Sequence, residues 1–131
     1  MAGGTDWDVT IGVDIEEVPR IRQAVHRWGD RFLAKHFTSD EIAYCRSKAR
    51  PAESLAARFA AKEAFAKAFR GTPRPGWHDV EIVMEGGRPM FRLRGPAVQW
   101  EAHLSLSHTH DHAVAVAMVR MRPAGARGAS S

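Results

Sequence analysis

Hydrophobic and polar positions change period several times along this chain, and the changes mark its elements. Val9 to Asp14 (VTIGVD) alternates and is β-branched, which predicts a strand ending near Asp14. From Val18 the spacing lengthens. Val18, Ile21, Val25 and Trp28 fall at i, i+3, i+7 and i+10, the period of a helix, and Pro19 suits its first turn. Thr38 to Glu41 (TSDE) has the form of a capping box and opens a short helix to about Ser47. Pro51 breaks the pattern. Glu53 to Arg70 is rich in alanine and free of Gly and Pro, so it predicts the longest helix, stopped by the turn residues Gly71 to Gly76 (GTPRPG). Val80–Met84 and Met90–Leu93 read as a hairpin about Glu85 to Pro89. Gly95-Pro96 opens a short helical piece to about Glu101. His103–Ser107 and Ala113–Met121 then alternate as a last hairpin. The order βαααββαββ predicts an α+β class, a single domain with an antiparallel sheet packed against the long helix. Residues 1–8 read as a flexible leader, 9–121 as the domain and 122–131 as a disordered tail of mostly Pro, Gly, Ala and Ser.

The long helix carries an anomaly. At about 100° per residue, Leu55, Phe59, Phe65, Ala66 and Phe69 share an arc of about 120°, the expected core-facing stripe. Lys62 falls inside that arc, so its ammonium must snorkel or meet an anion. Beside the stripe stand Glu63 and Lys67, flanked by Ala56 and Ala60, whose small side chains leave room for a ligand or another element. In isolation Glu63 and Lys67 are an ordinary i,i+4 surface pair.

The bulk properties narrow the field little. The chain has 131 residues, 44% hydrophobic and 26% charged, enough for one domain with a small core, for which an oligomer is reasonable. No apolar run approaches the roughly 20 residues of a membrane span, and the start lacks the form of a signal peptide. Cys45 is the single cysteine, which excludes an internal disulfide and suits a reducing cytoplasm. A net charge of +4 favours anionic partners without choosing among them. A nucleic-acid binder would interleave aromatics with a basic stripe, and here only Trp28 and Tyr44 lie near basic residues.

Two further segments hold candidate chemistry. Asp14 at the strand end and Glu16 two residues on would make, with Glu63, an oxygen-rich pocket suited to Mg²⁺. The last hairpin supplies Ser105, Ser107, His108, His110 and His112. Three imidazoles at alternate positions invite zinc, but no cysteine or second histidine cluster completes a tetrahedral site, and Asp111 suggests a turn. Hydroxyls and one histidine near Arg58 and Lys62 suit phosphate better.

Three segments in order then carry a resemblance. Gly12 to Ile21 (GVDIEEVPRI) resembles the G-x-D-x₅-R-I opening of the 4′-phosphopantetheinyl transferase superfamily, in its small holo-acyl-carrier-protein-synthase type. Arg58 to Lys67 (RFAAKEAFAK) resembles its R-F-A-x-K-E-A-x-x-K signature, and Ser105 to Ala115 its S-x-S-H-x₄-A-x-A closing motif. Asp14 and Phe59 are separated by 44 residues, as the family's spacing asks, and Gly87-Arg88-Pro89 resembles its G-x-P hairpin. The resemblance spans about Ile11 to Val119.

It implies transfer of 4′-phosphopantetheine from coenzyme A to a serine of an apo acyl or peptidyl carrier protein, releasing 3′,5′-ADP. Asp14 and Glu63 would ligate Mg²⁺, with Mn²⁺ as an alternative ion, and Lys67 would sit near the transferring phosphate. Arg58, Lys62 and His108, with Ser107 and Pro89, would bind coenzyme A. Arg20, Arg22 and Arg27 would dock the acidic carrier; read from the sequence alone, they are a solvated face. The small members are usually homotrimers with sites between subunits. The resemblance involves neither nucleic acid nor membrane. Glu16 is a departure: many small members have an apolar residue there, while the larger type uses that Glu as a third metal ligand, so its role stays open. The turn Arg70 to Pro75 departs from the usual glycine-led one. The serine proton goes to Glu63 or to a metal-bound water. The rival reading is a degenerate module that binds coenzyme A or a carrier without transfer.

Overall fold

The computed structural model describes residues 8–122, so the expected leader and tail lie outside it except for Asp8 and Arg122. The elements run β1 (Thr10–Glu17), α1 (Val18–Trp28), α2 (Asp30–His36), α3 (Ser39–Arg46), α4 (Pro51–Ala68), β2 (Val80–Glu85), β3 (Arg88–Leu93), β4 (Trp100–His108) and β5 (His112–Met121). Single 3₁₀ turns occupy Trp77–Asp79 and Gly95–Ala97.

The strands form two antiparallel sheets rather than the single one expected. One has the order β1-β5-β4 and the other is the β2-β3 hairpin. β3 runs near β4 but does not join its ladder. The α+β class stands.

α4 packs across the three-stranded sheet, and its alanines explain how closely. Ala56, Ala57, Ala60, Ala61, Ala64 and Ala68 are all buried, and the inward positions of β5 are Ala113, Ala115, Ala117 and Val119. Small residues on both surfaces bring the helix down onto the strands. Gly12 on β1 is the tightest point: a Cβ there would lie 2.0 Å from the Ala64 carbonyl oxygen. The space left by small residues is thus filled by another element, β1. Because α4 is covered on several sides, its buried surface is much wider than the arc of about 120° expected for a one-faced helix.

Larger side chains fill the two ends. Phe65, Phe69, Val80 and Ile82 form one cluster, with Phe91 and Trp100 against it. Val18, Ile21, Leu33, Phe37, Cys45 and Leu55 form the other. Each buried aliphatic or aromatic side chain contributes roughly 1.5–3 kcal/mol.

Four local expectations are corrected. β1 continues to Glu17, so Asp14 sits mid-strand opposite Ala115 rather than at the strand's end. Pro51 opens α4 instead of preceding it, since a first-turn proline has no hydrogen bond to lose. α2 is an additional helix: seven residues burying only Leu33 give too short a period to read. Trp28, placed in the apolar stripe of α1, is half-exposed, with the Arg27 guanidinium 5.0 Å from its ring centre. The capping box is present, with Thr38 Oγ1 accepting from Glu41 N at 3.2 Å and Glu41 Oε1 accepting from Thr38 N at 2.9 Å. Among the described residues no helix is long and apolar enough to cross a membrane.

Candidate active site

Alternation along β1 places Gly12, Asp14 and Glu16 on the face toward α4. The close approach at Gly12 brings Asp14 to the C-terminal half of α4, where Glu63 and Lys67 stand one turn apart. The Lys67 ammonium donates to Asp14 Oδ1 and to the Val13 carbonyl, both at 3.0 Å. Asp14 Oδ2 is buried and has no hydrogen-bond partner.

The carboxyls are crowded. Glu16 is pushed up to about 8, first by burial, then by the Asp14 carboxylate beside it and the Glu63 charge, with Arg20 opposing. Glu63 is also raised, by burial and then by Asp14, with Lys67 opposing. A site with more acids than nearby cations, and one buried oxygen left bare, is chemically suited to a divalent cation. Among the described residues no three His, Cys, Asp or Glu side chains are arranged to hold an ion by themselves. One or two carboxylates with the remaining positions free is the donor set Mg²⁺ favours, because it keeps waters and takes phosphate oxygens.

A second feature lies at the other end of α4. A cleft of about 530 Å³ is lined by Tyr44, Lys48, Arg50, Arg58, Pro89 and His108, among others. Arg58 is only 5% exposed, stacks 4.2 Å from the Tyr44 ring centre, and has a buried Nε with no partner. A buried guanidinium with an unused donor calls for an anion. Neither Asp14 nor Glu63 lines this cleft. Arg58 and Glu63 are five residues apart, about 7.5 Å along the helix and roughly 140° around it.

Some expected site residues are placed elsewhere. The Lys62 ammonium is fully buried, 2.8 Å from Glu41 Oε1, and donates to the Trp77 carbonyl at 2.8 Å. Burial holds its pKa down while Glu41 opposes. In this structure that charge is paired inside the protein, where the sequence reading expects it to meet a phosphate. The sequence does not reveal Glu41 as its partner, because nothing local links α3 to α4. Ser107 does not join His108. Leu106 and His108 face the cleft, so Ser107 falls on the opposite face of β4, paired across from Val114.

The three histidines also separate. His108 and His110 both approach Glu53, through Nδ1 at 3.3 and 2.8 Å, while His112 is exposed opposite Glu17. Thr109 and Asp111 form the turn between β4 and β5, with Thr109 Oγ1 accepting from the amides of Asp111 and His112. Arg20, Arg22 and Arg27 are exposed on α1. Arg20 and Arg27 share a face, and Arg22 lies about 160° from Arg20. Burial pushes the Cys45 thiol up to about 11, which leaves it unfit as a nucleophile.

An α+β domain with an acid-rich site at one end of a central helix and an arginine-lined cleft at the other has the chemistry of a protein that handles phosphates. The chain matches the 4′-phosphopantetheinyl transferase superfamily over residues 10–117 and belongs to it. It is 52% identical over 108 residues to a holo-[acyl-carrier-protein] synthase of Koribacter versatilis, covering 75% of this chain and 86% of that one. It is 42% identical over 125 residues to that of Chlorobium limicola, covering 89% and 98%. Among solved structures it superposes on the Bacillus anthracis holo-(acyl-carrier-protein) synthase in complex with CoA (3′,5′-ADP). The TM-score there is 0.72 at 29% identity, covering 87% and 96%. The Chronobacterium ammoniagenes ACPS–CoA complex gives 0.74 at 29%, covering 88% and 98%.

Proposed function

We propose that this chain transfers 4′-phosphopantetheine from coenzyme A to a serine hydroxyl of an apo acyl carrier protein and releases 3′,5′-ADP. One observation carries the reading. Asp14 and Lys67, from two separate motifs, meet at 3.0 Å beside Glu63, with a buried acid oxygen left open.

The serine oxygen attacks the β-phosphorus of coenzyme A, and the bond to the departing 3′,5′-ADP breaks. Asp14 and Glu63 are the residues to hold Mg²⁺ or Mn²⁺, with Glu16 as a third acid beside them. When bound, the ion would offset charge on the phosphate oxygens and orient them. Lys67, held by Asp14, places a second positive charge where the leaving phosphate gains negative charge. Glu63 accepts the serine proton, directly or through water. Arg58 and His108, with Pro89 on the cleft wall, hold the nucleotide phosphates.

The separation of cleft and carboxylates supports a site completed by a second copy. Ile11, Val13 and Ile15 on β1 are 54–67% exposed, and Val114, Val116 and Met118 lie across from them on β5. A contiguous apolar face of this kind marks a contact surface. A homotrimer formed on it would also put Ser107, which shares that face, beside a coenzyme A bound between subunits. Arg20, Arg22 and Arg27 supply positive charge for an acidic carrier. The setting is cytoplasmic, in fatty acid or polyketide synthesis.

Intact-mass spectrometry of an apo carrier protein incubated with this protein, coenzyme A and Mg²⁺ tests the reading. The carrier gains the mass of phosphopantetheine, and chelator abolishes the gain. No gain on several carriers, with coenzyme A still bound, would leave a binding module.

A further inference from the structure

The anion cleft contains an acid. Glu53, in the first turn of α4, lines the same cleft as Lys48, Arg50, Arg58 and His108, and its side chain is only 10% exposed. A carboxylate facing a bound phosphate is unfavourable unless it is committed elsewhere. Each of its oxygens has a basic neighbour. Oε1 lies 3.3 Å from His108 Nδ1, Oε2 accepts from His110 Nδ1 at 2.8 Å, and Arg50 Nε stands 3.8 Å away. The Arg50 Nη1 nitrogen also lies 3.1 and 3.3 Å from the two ring nitrogens of His110. Imidazole and guanidinium groups so placed hold the Glu53 carboxyl below its usual range.

We propose that Glu53 is a positioning residue for nucleotide binding, which turns His108 so that its Nε2 is presented to a phosphate group in the cleft. An ionised carboxylate can only accept, which favours the proton on the His108 Nδ1 that faces it at 3.3 Å. Nε2 is then the nitrogen left for a ligand, and in the doubly protonated ring it is a donor. Arg50 and His110 occupy the second oxygen and fix the carboxylate's own orientation. The arrangement resembles the way a carboxylate orients a metal-bound or catalytic histidine, with a phosphate as the recipient.

The inference rests on coenzyme A occupying this cleft, and its test separates the two. Direct electrostatics predicts that Glu53→Gln, which makes the cleft more positive, tightens anion binding. Positioning predicts the opposite sign. Calorimetric titration with 3′,5′-ADP should show Glu53→Gln binding about tenfold more weakly than wild type, the scale of one charge-assisted hydrogen bond. In a His108→Ala background the same change should have no further weakening effect. Glu53→Asp keeps the charge but withdraws the oxygens, and should also weaken binding, which keeps the test alive if the glutamine variant does not fold. Equal or tighter binding by folded Glu53 variants, or additive losses with His108→Ala, would overturn the positioning role. No binding of 3′,5′-ADP to wild type would overturn the nucleotide cleft and this role with it.

Discussion

The Asp14 carboxylate meets the Lys67 ammonium at 3.0 Å through one oxygen and leaves the other buried and bare. The pair gives two predictions of opposite sign. Asp14→Ala should weaken Mn²⁺ binding, read by calorimetry, by at least ~100-fold, the upper range for loss of a mere outer-shell partner. Lys67→Met removes a competing positive charge, so Mn²⁺ should bind no more weakly, while carrier modification slows by roughly 10²–10³-fold as charge stabilisation is lost. Weaker Mn²⁺ binding in Lys67→Met would contradict the division of labour.

Lys62 and Arg58 should separate stability from binding. Lys62→Met leaves Glu41 unpaired in the interior, and breaking a buried pair in this way costs about 3–5 kcal/mol, measured by urea unfolding. Arg58→Met should instead chiefly weaken 3′,5′-ADP binding. If Lys62→Met stays stable and loses nucleotide instead, the buried pair is not its main role.

Gly12→Ala should be among the most disruptive single-methyl changes in the protein. The added carbon meets backbone, not a side chain that can rotate away. Overpacking costs typically about 1–3 kcal/mol, and a rigid neighbour places this case at or above the top of that range. Thermal unfolding of the variant measures it, and β1 should separate from α4 enough to lower metal binding as well.

His36 predicts a pH dependence. Its Nδ1 is 2.8 Å from the Phe32 carbonyl and its ring packs on Phe59 and Trp77. Burial lowers its pKa from 6.5, with the nearby charges of Lys35 and Lys62 adding to the effect and the Phe32 carbonyl opposing. The unfolded chain therefore takes up this proton more readily than the folded one. The sign follows: stability is full above the unfolded value and is lost as pH falls through it. Urea midpoints from pH 8 to 5 should drop more steeply in wild type than in His36→Gln.

The outer face of the three-stranded sheet should control association. Val13→Glu or Val116→Lys places a charge in the middle of the apolar rows formed by β1 and β5. Sedimentation should show the variant as a monomer with its secondary structure kept, and transfer should fall with assembly. A monomeric wild type would remove the second copy from the proposed site.

Elements with a local cause are legible in the order of residues alone. The alternation of Val9 to Asp14, the capping box at Thr38 and the alanine-rich run of α4 each set their own backbone preference. That order also singles out Asp14, Glu63, Lys67, Arg58 and His108, because family motifs mark residue types at fixed spacings. What these side chains meet depends on how the elements pack. Lys62 lies one residue from Glu63, yet a 100° step turns it inward to Glu41, a partner on another helix. Ser107 and His108 are adjacent, yet the strand's alternation sends them to opposite faces. The Glu53 contacts to His108 and His110 bridge 55 and 57 residues, a separation that no local period can encode. Packing of β1 onto α4 at Gly12 brings the acids together, and long-range contacts of this kind are a property of the folded chain.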